Sequence, residues 1–234
     1  MTYASTDPLE DGKSLVMLVD SMGTDLSVVN DARQSFENRS EEWAAKDAKL
    51  IGYLAREGHT SPFRGVVFKF HVKCPLFVAR QWWKHVIACT YVDDQLGWNE
   101  KSYRYCSAQD AEFYVPKVFL KQSTSNRQAS DGAVEDQDIC RSIYEVALRE
   151  AAFAYEDLLE KGVSKEQARA ILPPALYTSF TWTCSLQALL HFISLRERHG
   201  AQGEIIAYAC ALRELAQPLA PEAFIAFAAT GGQF

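Results

Sequence analysis

The sequence predicts an α+β fold in which a small sheet is flanked by helices. Strand-like segments with a two-residue period stand between longer segments with helical patterns and capping residues, and such a mixture is typical of a sheet covered by helices. Hydrophobic residues make up 48% of the 234 residues, which is enough to form one core. We therefore predict a single domain over residues 14–234, preceded by a polar, flexible segment at 1–13.

The first half of the chain predicts two helices between two strands. In residues 66–73, apolar side chains at even positions alternate with Val67, Lys69, His71 and Lys73, a pattern that indicates a strand with one buried face. The predicted elements are a strand over 14–20, a helix over 25–36 capped by Asp25, a second helix from about 40 to 58, the strand over 66–73, and a helix that starts at Pro75.

The second half predicts one further strand among helices. Polar residues with an Asp131-Gly132 pair indicate a mobile surface loop over 120–136. The other predicted elements are a loop over 89–103, an extended piece at 113–116, a long helix over 135–159, a short helix from Ser164, a strand over 177–183, and two or three final helices.

Charge and composition exclude several classes of protein. Thirty acidic and 24 basic residues give a net charge of −6, which argues against non-specific binding to nucleic acid. Neither a targeting pattern nor an apolar run of bilayer length is present, so we expect a cytoplasmic protein with no membrane contact. The six cysteines form no Cys-x-x-Cys pair, which predicts reduced thiols and no metal site.

Two nearby segments concentrate the groups that could bind a ligand. Residues 80–86 read Arg-Gln-Trp-Trp-Lys-His-Val, and residues 99–105 read Asn-Glu-Lys-Ser-Tyr-Arg-Tyr. Ser102 and Arg104 could bind a phosphate through charge-assisted hydrogen bonds, and the amide and carboxylate groups of Gln81, Asn99 and Glu100 could hold the edge of a heterocycle. A solvated helix end followed by a polar loop would show the same pattern.

These segments resemble the signature of the flavin-dependent thymidylate synthases, the ThyX family. Further blocks match in the family's order, at residues 18–23, 58–63, 70–73, 77–82, 168–169, 172–173, 176–178, 195–196 and 201–202. The resemblance implies a ThyX-like catalytic domain that is one protomer of a homotetramer. It also implies C5-methylation of a uridine monophosphate, dUMP or UMP, using FAD, NADPH and 5,10-methylenetetrahydrofolate.

The resemblance also implies roles for individual residues. Arg196 would be catalytic, because it would stabilise negative charge as C5 of the pyrimidine becomes nucleophilic. The substrate would contact Gln81, Lys84, Glu100, Ser102, Tyr103, Arg104, Arg169 and Arg196. The flavin would contact Ser61, Lys84, His85, Val86, Asn99, Glu100, Ser185 and His191. Cys89 is disfavoured as a nucleophile, because the family is understood to need none.

Several positions depart from the family pattern. Lys84 and Val86 stand where the signature has arginines, Tyr103 replaces a glycine, and Ser185 and Gln187 replace an asparagine and an arginine. Fifteen residues separate Val86 from Ser102, more than the family's usual spacing, and this enlarged loop over 90–98 would either select the sugar or form a surface excursion.

These departures keep alternatives open. One is a UMP methylase of nucleoside-antibiotic biosynthesis, and another is a relative that makes a 5-hydroxymethyl product. A third is a flavin- or nucleotide-binding protein that has lost catalysis.

Overall fold

The chain forms a five-stranded antiparallel sheet surrounded by helices, as the sequence predicts. The structure, a computed structural model, describes residues 4–85, 98–105, 111–198 and 200–232. The predictions for Val86, for Cys89 and for most of the loop over 90–98 lie outside the described residues. The strands are β1 (Ser5–Thr6), β2 (Leu15–Met22), β3 (Val67–Pro75), β4 (Trp98–Glu100), β5 (Leu120–Gln122), β6 (Ser130–Ala133) and β7 (Tyr177–Ser185).

The predicted strands over 66–73 and 177–183 lie side by side at the centre of the sheet. The strand order is β1-β2-β3-β7-β4, and β3 pairs with β7 along its full length, from Val67 opposite Ser185 to Pro75 opposite Tyr177. Their alternate residues, including Phe70 and Trp182, are buried on one face. This pairing fixes where the helices that follow each strand begin.

Eight helices occur in the described part of the chain. They are α1 (Asp25–Arg33), α2 (Ala45–Arg56), α3 (Leu76–Trp82), α4 (Gln137–Glu160), α5 (Lys165–Ala168), α6 (Leu186–Arg196), α7 (Gly203–Ala216) and α8 (Pro221–Ala229). A short 3-10 turn, Ser61–Arg64, precedes β3. Helices α3 and α6 follow β3 and β7 directly. Because these two strands are antiparallel, the helices begin at opposite ends of the strand pair.

Trp82, the last residue of α3, anchors this helix in the aromatic core. Its ring packs on Phe192 of α6 with a centroid separation of 4.6 Å and against Trp182 of β7 at 5.3 Å. Because Trp82 is buried, the residues on either side of it, Gln81 and Trp83, are directed away from the core. The core contact therefore orients the residues on either side of Trp82 at the end of α3.

Two predicted local features differ in the structure, one at Asp25 and one at residues 120–136. Asp25 does not cap its own helix, whose cap position is Thr24; its buried carboxylate accepts hydrogen bonds from the backbone N–H groups of Glu222 and Ala223 instead, at 2.8 and 2.9 Å. The predicted mobile loop over 120–136 contains the hairpin β5–β6. The hairpin was missed because all of its strand residues are exposed and show no alternation.

The N-terminal segment makes defined contacts from residue 4 onward. Strand β1 pairs with β2, and the Asp11 carboxylate accepts a hydrogen bond from the hydroxyl of Tyr177. The boundary proposed at residue 13 stays a prediction. Among the described residues, no helix combines the length and the apolar character that a bilayer crossing requires.

Candidate active site

The predicted phosphate ligands line one cavity. Ser102 and Arg104 follow strand β4, and Arg169 follows helix α5; all three border a cavity of about 550 Å³. The ammonium of Lys165 donates to the carbonyl of Tyr105 at 3.4 Å, which joins α5 to the loop after β4. Two distant parts of the sequence thus supply the predicted phosphate ligands that line one pocket.

The charge of this cavity favours an anion. Its lining includes the cations Lys101, Arg104 and Arg169 and the carboxylates of Glu100 and Glu166, and its apolar wall consists of Leu76, Trp83, Leu172 and Leu176. Guanidinium groups match the geometry of phosphate oxygens, whereas the apolar wall suits a ring. The cavity therefore has the chemistry that a nucleoside monophosphate requires.

Tyr103, which stands where the family has a glycine, lines the cavity with a side chain that is held in place. Its ring is buried, and its hydroxyl donates to the carbonyl of Tyr177 at 2.7 Å. The ammonium of Lys101 lies 4.7 Å from the centre of this ring, a cation–π distance. Tyr103 therefore connects the loop after β4, which carries Ser102 and Arg104, to the start of β7.

Glu100 is held at both carboxylate oxygens. The buried hydroxyl of Thr178 donates to Oε1 at 2.6 Å, and the indole N–H of Trp98 donates to Oε2 at 3.3 Å. Trp98 in turn stacks on Phe180 of the neighbouring strand. These contacts fix the direction in which Glu100 faces the cavity.

The side chains of Asn99 and Glu100 point to different faces of the sheet. They are successive residues of β4, opposite Thr181 and Phe180 of β7, and successive side chains of a strand point in opposite directions. Glu100 lines the cavity, while Asn99 is exposed. In this strand the side chains of Asn99 and Glu100 therefore point to opposite sides, whereas the sequence-based hypothesis placed both on one heterocycle.

A second polar cluster forms where the segment after α3 meets the end of α6. Arg196 donates from Nε to Nε2 of His85 at 2.8 Å and from Nη2 to the backbone carbonyl of Gln81 at 2.9 Å. The Gln81 side chain donates to Gln202 at 2.6 Å. Arg196 is consequently held in one orientation by two acceptors that carry no formal charge.

His85 is neutral in this cluster. Burial, together with the positive charge of Arg196 and the neighbouring His191, lowers the pKa of His85 from 6.5 to about 4. Because Nε2 accepts the hydrogen bond from Arg196, the ring proton belongs on Nδ1. Burial also lowers the pKa of Arg196.

The remaining predicted flavin ligands lie along α6 and the turn before β3. Ser61 is exposed, and Lys84 is exposed just after α3. His191 lies in α6 with its ring centre 6.3 Å from that of His85. Ser185 is buried, and its hydroxyl accepts from the backbone N–H of Ala188 at 3.2 Å, so it caps α6. Its role as a flavin ligand stays a prediction.

Sequence reasoning missed three residues that shape these clusters. Thr178 orients Glu100, Gln202 bonds Gln81, and Arg64 donates from Nε to Oε1 of Gln187 at 2.7 Å. Each contact joins residues more than 70 positions apart, so no local pattern could have predicted it.

Comparison with known proteins identifies relatives that span almost the whole chain. The family model of the thymidylate synthase complementing protein matches residues 17–222. A flavin-dependent thymidylate synthase of Thermus thermophilus is 46% identical over 215 residues, covering 92% of this chain and 76% of the relative. One of Thermotoga neapolitana is 42% identical over 224 residues, covering 94% of each.

A solved structure shares the fold. The crystal structure of the UMP/dUMP methylase PolB from Streptomyces cacaoi, bound with 5-Br dUMP, superposes with a TM-score of 0.81 at 30% identity and covers 93% of this chain and 96% of that one. The family-model match covers most of the chain, and the relatives exceed 40% identity. The chain therefore belongs to the flavin-dependent thymidylate synthases, the thymidylate synthase complementing protein family.

Proposed function

We propose that this enzyme methylates C5 of a uridine monophosphate and accepts UMP, dUMP or both. The observation that carries the proposal is the cavity that combines Ser102, Arg104 and Arg169 with the fixed carboxylate of Glu100. The structural neighbour is a UMP/dUMP methylase, described in complexes with 5-Br dUMP and with 5-Br UMP. A nucleotide of this class supplies both the anion and the planar ring that such a cavity suits.

The nucleotide's phosphate would be bound by charge. Arg104 and Arg169 present guanidinium donors on two sides of the cavity, and Ser102 adds a hydroxyl. Each hydrogen bond to a charged group contributes about 1.5–3 kcal/mol. Glu100 would accept a hydrogen bond from a sugar hydroxyl, because its oxygens retain lone pairs beyond the contacts with Thr178 and Trp98.

Arg196 would act on the pyrimidine ring. A fixed cation beside developing negative charge lowers the barrier of the chemical step, provided that the cation needs no reorientation. His85 and the Gln81 carbonyl hold the guanidinium from one side, and it is half-buried, so its charge is less screened than that of an exposed arginine. This arrangement suits a catalytic role better than a role in phosphate binding.

FAD is the cofactor that membership of the flavin-dependent family supports. Ser61, Gln187, His191 and His85 would offer it hydroxyl, amide and imidazole groups. NADPH would reduce the bound FAD, the reduced flavin would supply the hydride, and 5,10-methylenetetrahydrofolate would supply the carbon. The residues of this chain would bind and orient these molecules and exclude water.

We also propose a homotetramer in which neighbouring chains complete each site. Arg196, His85 and Gln81 contact one another, yet none of them lines the cavity that contains Arg169. Mixing Arg169→Ala and Arg196→Ala proteins after reversible dissociation tests this arrangement. Activity regained in the mixture supports shared sites, whereas a mixture as inactive as both parents would show that each chain needs its own two arginines.

One assay tests the proposed reaction. The purified protein is incubated with FAD, NADPH and 5,10-methylenetetrahydrofolate together with UMP or dUMP, and products are identified by mass. A gain of one methyl group on either nucleotide is expected. A hydroxymethyl product would instead support the alternative relative, and binding of flavin and nucleotide without any product would support a silent binding protein.

A further inference from the structure

Arg64 is a cation whose placement the proposed reaction does not explain. It is exposed, it ends the 3-10 turn Ser61–Arg64, and its Nε donates to the buried side chain of Gln187 at 2.7 Å. Among the ion pairs formed by the described residues, none involves Arg64. The nearby carboxylate of Asp31 lies against Gly65 and interacts with Arg39.

The geometry of the turn puts Arg64 beside Ser61. Side chains three residues apart eclipse one another in a 3-10 helix, so Ser61 and Arg64 lie on the same face of the turn. The two residues between them, Pro62 and Phe63, are buried and fix the turn against the core. A hydroxyl and a guanidinium therefore project together from a rigid support.

Gln187 links this pair to the second polar cluster. Gln187 and His191 are four residues apart in α6 and so share one face of the helix. His191 lies next to His85, which accepts from Arg196. We define the polar track as these six residues, which extend from the turn to the end of α6: Ser61, Arg64, Gln187, His191, His85 and Arg196.

Arg64 lies beside a position at which this chain lacks a positive charge. Gln187 and Val86 stand where the family pattern has arginines, so this chain lacks two cations that the pattern provides. Arg64 restores one positive charge directly across a hydrogen bond from one of those positions. At the turn end of the polar track, Ser61 contributes a hydroxyl and Arg64 contributes the positive charge that an anionic ligand would need.

We propose that Arg64 binds the diphosphate of FAD beside Ser61, with Gln187 holding its guanidinium in place. The inference rests on the proposed use of FAD and adds a residue that the family pattern does not assign. In this arrangement Ser61 and Arg64 would hold the diphosphate, and His85 and Arg196 would be available to the flavin ring. Nε is committed to Gln187, and both terminal nitrogens of the guanidinium serve the anion.

Flavin titrations of the purified apoprotein test the proposal without an activity measurement. Arg64→Gln removes the charge and keeps the length, and Arg127→Gln, in the exposed turn of the β5–β6 hairpin, is the matched control. We expect Arg64→Gln to weaken FAD binding by about tenfold to hundredfold. Arg64→Lys should lose less, and Arg127→Gln should bind like the unsubstituted protein.

Riboflavin separates a phosphate contact from a structural effect. It lacks the phosphates, so its affinity should be the same for the unsubstituted protein and for Arg64→Gln. Unchanged FAD affinity in a folded Arg64→Gln protein, or equal losses for FAD and riboflavin, would overturn the assignment of Arg64. If the unsubstituted protein bound no FAD at all, the proposed function would fail along with it.

Discussion

Arg169 and Arg196, the two arginines to which the candidate site owes most of its predicted function, differ in exposure and in hydrogen bonding. Arg169 is exposed at the edge of an open cavity that it shares with Lys101 and Arg104. Arg196 is half-buried and already bonded to His85 and to a backbone carbonyl. Exposed cations attract an anion in the ground state and in the transition state alike, whereas a desolvated, oriented cation favours the state in which charge develops.

The two arginines thus differ in how their side chains are supported. Arg169 is exposed on the short turn after α5. The support of Arg196 comes from a neutral imidazole, and a protonated one would repel it. Substitutions at each arginine, and at the residues that contact the site, test whether this difference in support separates binding from rate.

The largest effect is expected at Arg196. Arg196→Ala should lower kcat by about 10²- to 10³-fold with little change in nucleotide affinity, because the lost contact acts on developing charge. Steady-state kinetics combined with equilibrium nucleotide binding separates the two parameters. Turnover at the unsubstituted rate, or a loss confined to KM, would remove the catalytic role.

A smaller effect of a different kind is expected at Arg169. Arg169→Ala should weaken nucleotide binding by about tenfold to hundredfold while kcat at saturation stays similar. Arg149→Ala, at an exposed position of α4, serves as the control. The distinction from Arg196 would collapse if Arg169→Ala lowered kcat and left the dissociation constant unchanged.

Substitutions of His85 test whether Arg196 depends on the hydrogen-bond acceptor that the imidazole provides. Replacement by Ala should reduce kcat by roughly tenfold, because Arg196 loses one of its two holding contacts. His85→Gln should retain more activity, since the side-chain oxygen of glutamine can take the place of Nε2. Equal losses in both variants would mean that the imidazole contributes something other than an acceptor.

The pH dependence of stability provides a second reading of His85. Its pKa is about 4 in the folded protein, below the ordinary value of 6.5, so the unfolded chain takes up the proton first as pH falls. His85 should therefore lower stability progressively from about pH 6.5 down to about pH 4. Denaturant titrations across this range should show a shallower decline for His85→Gln, and an identical decline would argue against a depressed pKa.

The smallest effect is expected at Thr178. Thr178→Val keeps the shape but removes the hydroxyl that donates to Glu100 at 2.6 Å. Nucleotide binding should weaken by about threefold to tenfold, because Glu100 keeps only the longer contact from Trp98. Thr178→Ser, which keeps the hydroxyl, should restore affinity, and failure to do so would assign the loss to packing.

Sequence patterns predicted the elements whose burial is periodic. Strand β3 was predicted from its two-residue period, and β7 was predicted from its β-branched and aromatic residues. Ser102, Arg104 and Arg169 were predicted through the family resemblance, and they share a cavity. The β5–β6 hairpin and the true partner of Asp25 were missed. An exposed hairpin has no hydrophobic period, and a carboxylate that caps a helix 197 residues away leaves no local trace.

The same limit applies to the site. Arg64 follows a Ser-Pro-Phe sequence that marks only a turn, and its partner Gln187 lies 123 residues further along the chain. Glu100 could be named from its motif, but the hydroxyl that orients it belongs to a residue 78 positions later. Side-chain types near the signature were therefore predictable, and the groups that aim them were not.

The carboxylate of Asp25 has a consequence for the order in which the molecule assembles. It is buried near the beginning of the described chain, and its two hydrogen-bond donors belong to the first turn of α8. Until that turn has been synthesised and docked, the carboxylate must stay hydrated, and α1 cannot settle against the core without an unsatisfied charge. Closure of this long loop therefore belongs to the last stage of folding, after the central strands have paired.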